Sequence, residues 1–68
     1  MHSFHDLIKE ARKRLGFSSA KEFHRQRTKE IPSDFTMSYE SYSNIEAGKY
    51  LPPAEKLTGL ALALEIQD

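Results

Sequence analysis

The chain contains no cysteine. That excludes a disulfide staple, a thiolate metal site and a thiol nucleophile. Its three histidines, His2, His5 and His24, have no spacing that suggests a metal box. No apolar run approaches the roughly 18 residues of a membrane span, and nothing resembles a signal peptide, so the cytoplasm is the expected location. There is no Gly-rich phosphate loop and no local signature of a Ser-His-Asp set. Paired carboxylates for acid–base work need a pocket that short helices rarely supply. No enzymatic activity, metal, cofactor or small-molecule ligand is therefore expected of this domain. Strand-like alternation, internal repeats and low-complexity segments are missing as well, which leaves an all-α chain.

Net charge is also lacking, because 10 Lys and Arg balance 10 Asp and Glu. Bulk charge alone cannot then hold a polyanion, but the distribution is uneven. Residues 9–29 hold Lys9, Arg12, Lys13, Arg14, Lys21, Arg25, Arg27 and Lys29 against only Glu10 and Glu22. From residue 30 onward, Lys49 and Lys56 face Glu30, Asp34, Glu40, Glu46, Glu55, Glu65 and Asp68. A basic half and an acidic half make a dipolar surface that can orient on a phosphate backbone. A row of charges is equally compatible with a merely solvated helix face. At 68 residues the chain is one domain. A domain this small buries only about 60% of its unfolded surface and is marginal alone.

Four helical stretches can be read in order. Phe4, Leu7, Ile8, Ala11 and Leu15 share one face of a helix over 3–15, with Ser3 and Asp6 spaced as a capping box and Gly16 as a stop. Phe17 is expected to pack back onto the core. Ser19 and Glu22 form a second capping box that opens a helix at Ala20, with Ala20, Phe23 and the stem of Arg27 facing inward. His24 reads as a partly exposed packing residue. Residues 28–37 form an extended loop, with Ile31-Pro32 disfavouring helix and Phe35 as the expected anchor. Ser38 and Gly48 then mark both ends of a short helix. Tyr42 and Ile45, with Ala47 beside them, are its only apolar seats. Its remaining positions, Tyr39, Glu40, Ser41, Ser43 and Asn44, are all able to hydrogen-bond. A helix so sparsely anchored is built to be read by a partner. Pro53 suits the first turn of the last helix, where Leu57, Leu60, Ala61 and Leu64 form the expected stripe. Gly59 reads as a mild weakness there, and Leu62 and Ile66 fall off the stripe.

In that order the blocks resemble the phage-repressor and Cro type of helix-turn-helix domain. Leu7-Ile8-Lys9-Glu10-Ala11-Arg12-Lys13-Arg14-Leu15-Gly16-Phe17-Ser18 is similar to the family's first helix and its ending. Ser41-Tyr42-Ser43-Asn44-Ile45-Glu46-Ala47-Gly48-Lys49 is similar to its recognition segment, and Pro53 with residues 57–64 to the helix that follows. The resemblance implies a compact bundle of four or five short helices. It implies one helix-turn-helix domain over 1–68, either complete or the N-terminal domain of a longer regulator. The implied function is sequence-specific binding of double-stranded DNA by a bacterial or phage transcription regulator, most often a repressor, acting as a homodimer with the helix at 39–47 in the major groove. Tyr39, Glu40, Ser41 and Asn44 are the implied base contacts. Ser19, Lys21, Arg25, Ser43, Lys49 and Tyr50 are the implied phosphate contacts, and Glu46 pairs with Arg12. The family joins its second and third helices by a tight turn, whereas residues 28–37 intervene here. The alternative is a protein-interaction module, antitoxin-like or a scaffold, that uses the fold without reading DNA. Zero net charge, Glu40 at a reading position and the inserted loop favour that alternative.

Overall fold

A computed structural model describes residues 3–66, so His2 and Asp68 lie outside the described residues. The described residues form four helices: α1 over Phe4–Arg14, α2 over Ala20–Glu30, α3 over Tyr39–Glu46 and α4 over Ala54–Leu64. No strand is present among them, and none of the helices is long and apolar enough to cross a membrane. The chain is a small all-α bundle in which α2 packs on α3, α3 on α1 and α1 on α4.

Helix ends follow from local chemistry. The Ser19 and Ser38 hydroxyls accept from the backbone N–H of Glu22 and Ser41, at 3.1 and 3.2 Å. Each satisfies one of the orphan donors that open a helix. Gly16 and Gly48 take φ of 95° and 78°, the left-handed residue that ends α1 and α3. In both helices the following N–H reaches back five residues, Phe17 to the Arg12 carbonyl and Lys49 to the Asn44 carbonyl. Ser3 departs from the expected capping box. Its hydroxyl makes no bond to a backbone N–H and instead donates to Asp6 Oδ2 at 3.0 Å, which holds that carboxyl below its ordinary value. Pro53 stands just before α4, not within its first turn. Helix α4 closes on Glu65 at φ 55°, where a side chain is strained. The Glu65 carboxylate meets Arg27 Nη2 at 2.8 Å, which ties the end of α4 to α2.

The core is aromatic at its centre. Phe23 is fully buried among Phe17, Phe35 and Tyr42, with ring centroids 5.4, 5.8 and 5.1 Å away. The pairs with Phe17 and Phe35 are edge-on and that with Tyr42 is tilted, and aromatic pairs of this kind contribute about 0.5–1.5 kcal/mol beyond burial. Ile8, Ala11, Ile45, Leu60, Ala63 and Leu64 complete it. Two of the expected stripes shift. Phe4 and Leu7 are 37% and 50% exposed, so of its apolar residues α1 buries only Ile8 and Ala11, with Leu15 partly covered. The inner face of α4 is Gly59, Leu60, Ala63 and Leu64, while Leu57 is 40% exposed. Ala47 is exposed as well.

Residues 31–38 explain the shift in α4. Thr28, Lys29 and Glu30 remain helical, which shortens the expected loop, and Ile31 ends α2 ahead of Pro32. The loop then folds onto the body at three points. Phe35 is buried in the core, Lys56 Nζ donates to Thr36 Oγ1 at 2.7 Å, and the backbone at Asp34 lies against the bare Cα of Gly59. Gly59 is therefore the residue that lets the loop seat, and α4 turns that face inward.

Gly59→Ala is expected to invert the usual helix rule. In an open helix the change gains about 1 kcal/mol. Here the new Cβ would overlap the Asp34 carbonyl oxygen. Overpacking of this type costs about 1–3 kcal/mol, or a fall in Tm of roughly 4–8 °C per kcal/mol in so small a domain. Thermal unfolding by circular dichroism reads the sign, and a rise in Tm refutes this account of the loop.

Candidate nucleic-acid interface

The outward surface of α3 depends on how its inward surface is held. Tyr42, Ile45 and Glu46, three and four residues apart, are its buried positions. Glu46 is held by Arg12 of α1, from Nε to Oε2 at 2.9 Å and from Nη2 to Oε1 at 3.2 Å. Both residues are buried, with 6% and 7% exposure. Arg12 Nη1 also donates to the Phe17 carbonyl at 2.8 Å, so the fork is satisfied on three sides. Bidentate pairing of this kind fixes rotation as well as distance. The Tyr42 hydroxyl lies beside this pair without a hydrogen bond of its own. Burial, and then the neighbouring Glu46 carboxylate, pushes its phenol well above the ordinary value.

At 100° per residue, the face opposite Tyr42, Ile45 and Glu46 carries Glu40, Ser43, Asn44 and Ala47. Tyr39 and Ser41 stand on its two flanks. Tyr39 is 42% exposed and its ring meets His24 of α2 edge-on at 5.8 Å. Ser41 is partly buried, and its hydroxyl receives the Ser38 hydroxyl at 3.2 Å. Ser43 and Asn44 are partly exposed and Glu40 fully so. Of the four sequence-derived base-contact candidates, Glu40 and Asn44 thus stand centrally and Tyr39 and Ser41 at the edges.

Of the phosphate-contact candidates, Ser43 stands on the outward face of α3, and the others fall into two groups. Lys49 and Tyr50 are exposed just past the end of α3. Ser19, Lys21 and Arg25 are exposed on α2, where they line a hollow of about 190 Å³ with Glu22. The Ser19 hydroxyl is already engaged as a cap, although its oxygen can still donate. Lys29, which the sequence offers as a contact of the 28–37 loop with DNA or a partner, instead stands on α2 and extends the basic row at the same four-residue spacing. The spacing Lys21, Arg25, Lys29 was the available signal. No carboxylate pairs with these three cations among the described residues.

His24 joins the two helices. Its Nε2 lies 2.7 Å from the Met37 carbonyl, which can only accept, so this nitrogen carries the proton. Its ring also packs edge-on against Phe35 at 5.5 Å. Met37 directly precedes the Ser38 cap, so His24 pins the entry to α3 onto α2. The packing role expected for His24 is present, with a hydrogen bond that sequence spacing could not reveal.

No protein-family model matches the chain, and no curated protein or solved structure matches it either.

Two substitutions separate orientation from burial. Glu46→Ala leaves a buried guanidinium without its partner and is expected to cost about 3–5 kcal/mol, visible as a large drop in Tm. Replacing both partners, by Arg12→Met with Glu46→Leu, is expected to restore most of the stability while leaving α3 less well oriented. An unchanged melt for Glu46→Ala refutes the structural assignment. Tyr42→Phe is expected to shift stability at neutral pH by no more than about 1 kcal/mol, because the hydroxyl has no partner to lose. Its effect lies in alkali. The folded phenol titrates above the unfolded one, so the wild type loses stability as pH rises past 10.0, and Tyr42→Phe removes that part of the loss. Chemical unfolding as a function of pH reads the difference.

Proposed function

We propose that the chain is a sequence-specific double-stranded DNA-binding domain of a transcription regulator, a repressor by preference. The supporting observation is the isolation of one polar helix face within a field of unpaired cations. Glu40, Ser43 and Asn44 face outward from α3, which is held from behind by Tyr42, Ile45 and the Arg12–Glu46 pair. Lys21, Arg25 and Lys29 stand on α2 around Tyr39 at the start of α3, and Lys49 is exposed just past the end of α3.

Under this reading α3 enters the major groove. Asn44 can pair bidentately with adenine, and Glu40 can accept from cytosine N4. Glu40 also repels misplaced phosphate and so penalises wrong registers. The cations of α2 and Lys49 straddle the backbone on either side. Two copies bind a two-fold related operator, with half-sites about one helical turn apart. The alternative, a protein-interaction module, finds support in apolar side chains left in water, Leu7 on α1, Leu57 and Leu62 on α4 and Ile66 just past it.

Duplex binding at several salt concentrations separates the two. Lys21, Arg25, Lys29 and Lys49 on phosphates imply a log–log salt slope of about −3.6 per protomer, at −0.9 for each contact. A flat slope, or no binding at low salt, overturns the DNA reading in favour of the protein module. Asn44→Ala is then expected to weaken a duplex selected from a random pool by about 1–3 kcal/mol and to leave non-specific binding in place. Equal loss on both duplexes reduces Asn44 to a positioning contact.

A further inference from the structure

Between α2 and the start of α3 lies a groove of about 440 Å³, lined by Lys21, His24, Arg25, Thr28, Lys29 and Tyr39. Its size falls among small-molecule sites, which run from roughly 300 to 1,000 Å³. Its wall is almost wholly carbon. Side-chain stems and two aromatic rings line it, and the one inward polar group of His24 is spent on the Met37 carbonyl. A bare phosphate therefore finds a charged rim but no bed of donors. Around the groove stand Lys21, Arg25 and Lys29, none of them paired with a carboxylate among the described residues, and no carboxylate contributes to the lining. Long cationic side chains cover apolar surface with their stems while their heads stay in water.

We propose that this groove binds a small organic anion with a flat apolar body, an aromatic carboxylate in its simplest form. The apolar body lies against the Tyr39 and His24 rings and the α2 stems. The acid group meets the guanidinium of Arg25 and the ammonium groups of Lys21 and Lys29. Charge complementarity selects this occupant: a neutral aromatic leaves three cations unanswered, and a small inorganic anion leaves the apolar wall in water. An occupant also covers Lys21, Arg25 and Tyr39, which the DNA reading places on the operator. On that reading the anion competes with DNA and acts as a releasing effector.

The probes are naphthalene-2-acetate, its neutral amide naphthalene-2-acetamide, and acetate, titrated into the isotope-labelled chain and followed by NMR. The acid is expected to give saturable shifts confined to α2 and the residues around Tyr39. The amide is expected to bind about tenfold more weakly, as loss of a charge-assisted contact implies. Acetate is expected to give no saturable shift. Arg25→Gln and Lys29→Gln are expected to weaken the acid several-fold more than the amide, so that the gap between the two narrows, while Lys13→Gln on α1 alters neither. Equal affinity for acid and amide, shifts scattered over α1 and α4, or no saturation overturns the proposal. Duplex titrations with and without the acid test competition. Salt-dependent duplex binding without probe binding refutes the groove and keeps the DNA reading. Probe binding without any duplex binding does the reverse. Probe binding that leaves duplex affinity unchanged overturns the competition.

Discussion

The bidentate contact between Arg12 and Glu46 is the constraint on which the rest of the arrangement rests. It joins α1 to α3 across a separation of 34 residues, inside a domain with little apolar area to spare. A buried ion pair is poor evidence of stability, because desolvating both charges costs about as much as their attraction returns. What it supplies here is angle. Tyr42 and Ile45 alone would let α3 roll about its axis, since apolar contacts are non-directional. Two parallel N–H bonds to one carboxylate, with the third nitrogen on the Phe17 carbonyl, leave a single rotation satisfied. That rotation decides that Glu40, Ser43 and Asn44 face out. A helix meant only to fill a core would not need the pair.

A second constraint acts from the opposite side. The segment from Ile31 to Ser38 is longer than a tight turn, and a free loop of that length would leave the entry to α3 undefined. Phe35 in the core, Gly59 against the Asp34 backbone, and the His24 bond to Met37 remove that freedom one point at a time. Glycine inside α4 looks wasteful from helix propensity alone. It becomes intelligible once another backbone is seen to need the space its side chain would take. The first constraint holds α3 in rotation; the second holds where it starts.

Local chemistry in the sequence located the helices well. Ser19, Ser38, Gly16 and Gly48 act through hydrogen bonds and dihedrals that span a few residues, so position in the chain is enough to read them. The pairing of Arg12 with Glu46 was available only through the resemblance, because no periodicity links residues on separate helices. The stripes were legible in outline and wrong in detail. Phe4 and Leu7 have the spacing of core residues, but helical spacing says which residues share a face, not whether anything covers it. In α4, Leu57 and Ala61 gave way to Gly59 and Ala63 because a loop backbone sits where a side chain was expected. The groove was illegible for the same reason. Tyr39 and Thr28 are brought together only by the way α2 and α3 cross.

Placing the ion pairs removes two arginines and three glutamates, so the sum hardly moves and what changes is where the remaining cations stand. Arg12 is consumed inside the core by Glu46, and Arg27 lies over Phe17 while bonded to Glu30 and Glu65. Its hydrogen bond, with a further one from Gln26, holds the Glu30 carboxyl below its ordinary range. Those arginines and carboxylates cancel one another structurally and project little field. Lys21, Arg25 and Lys29 have no such partners, and they occupy one side of one helix. The quantity that matters for an anionic partner is therefore not the sum over the chain but the charge left after internal pairing, and its place. That residue of charge surrounds an almost wholly carbon-lined groove and borders a polar helix face. On the proposed readings each surface takes a different kind of anion, one with a flat apolar body and one with an extended backbone. Lys21, Arg25 and Lys29 border both, which is why the two readings are coupled.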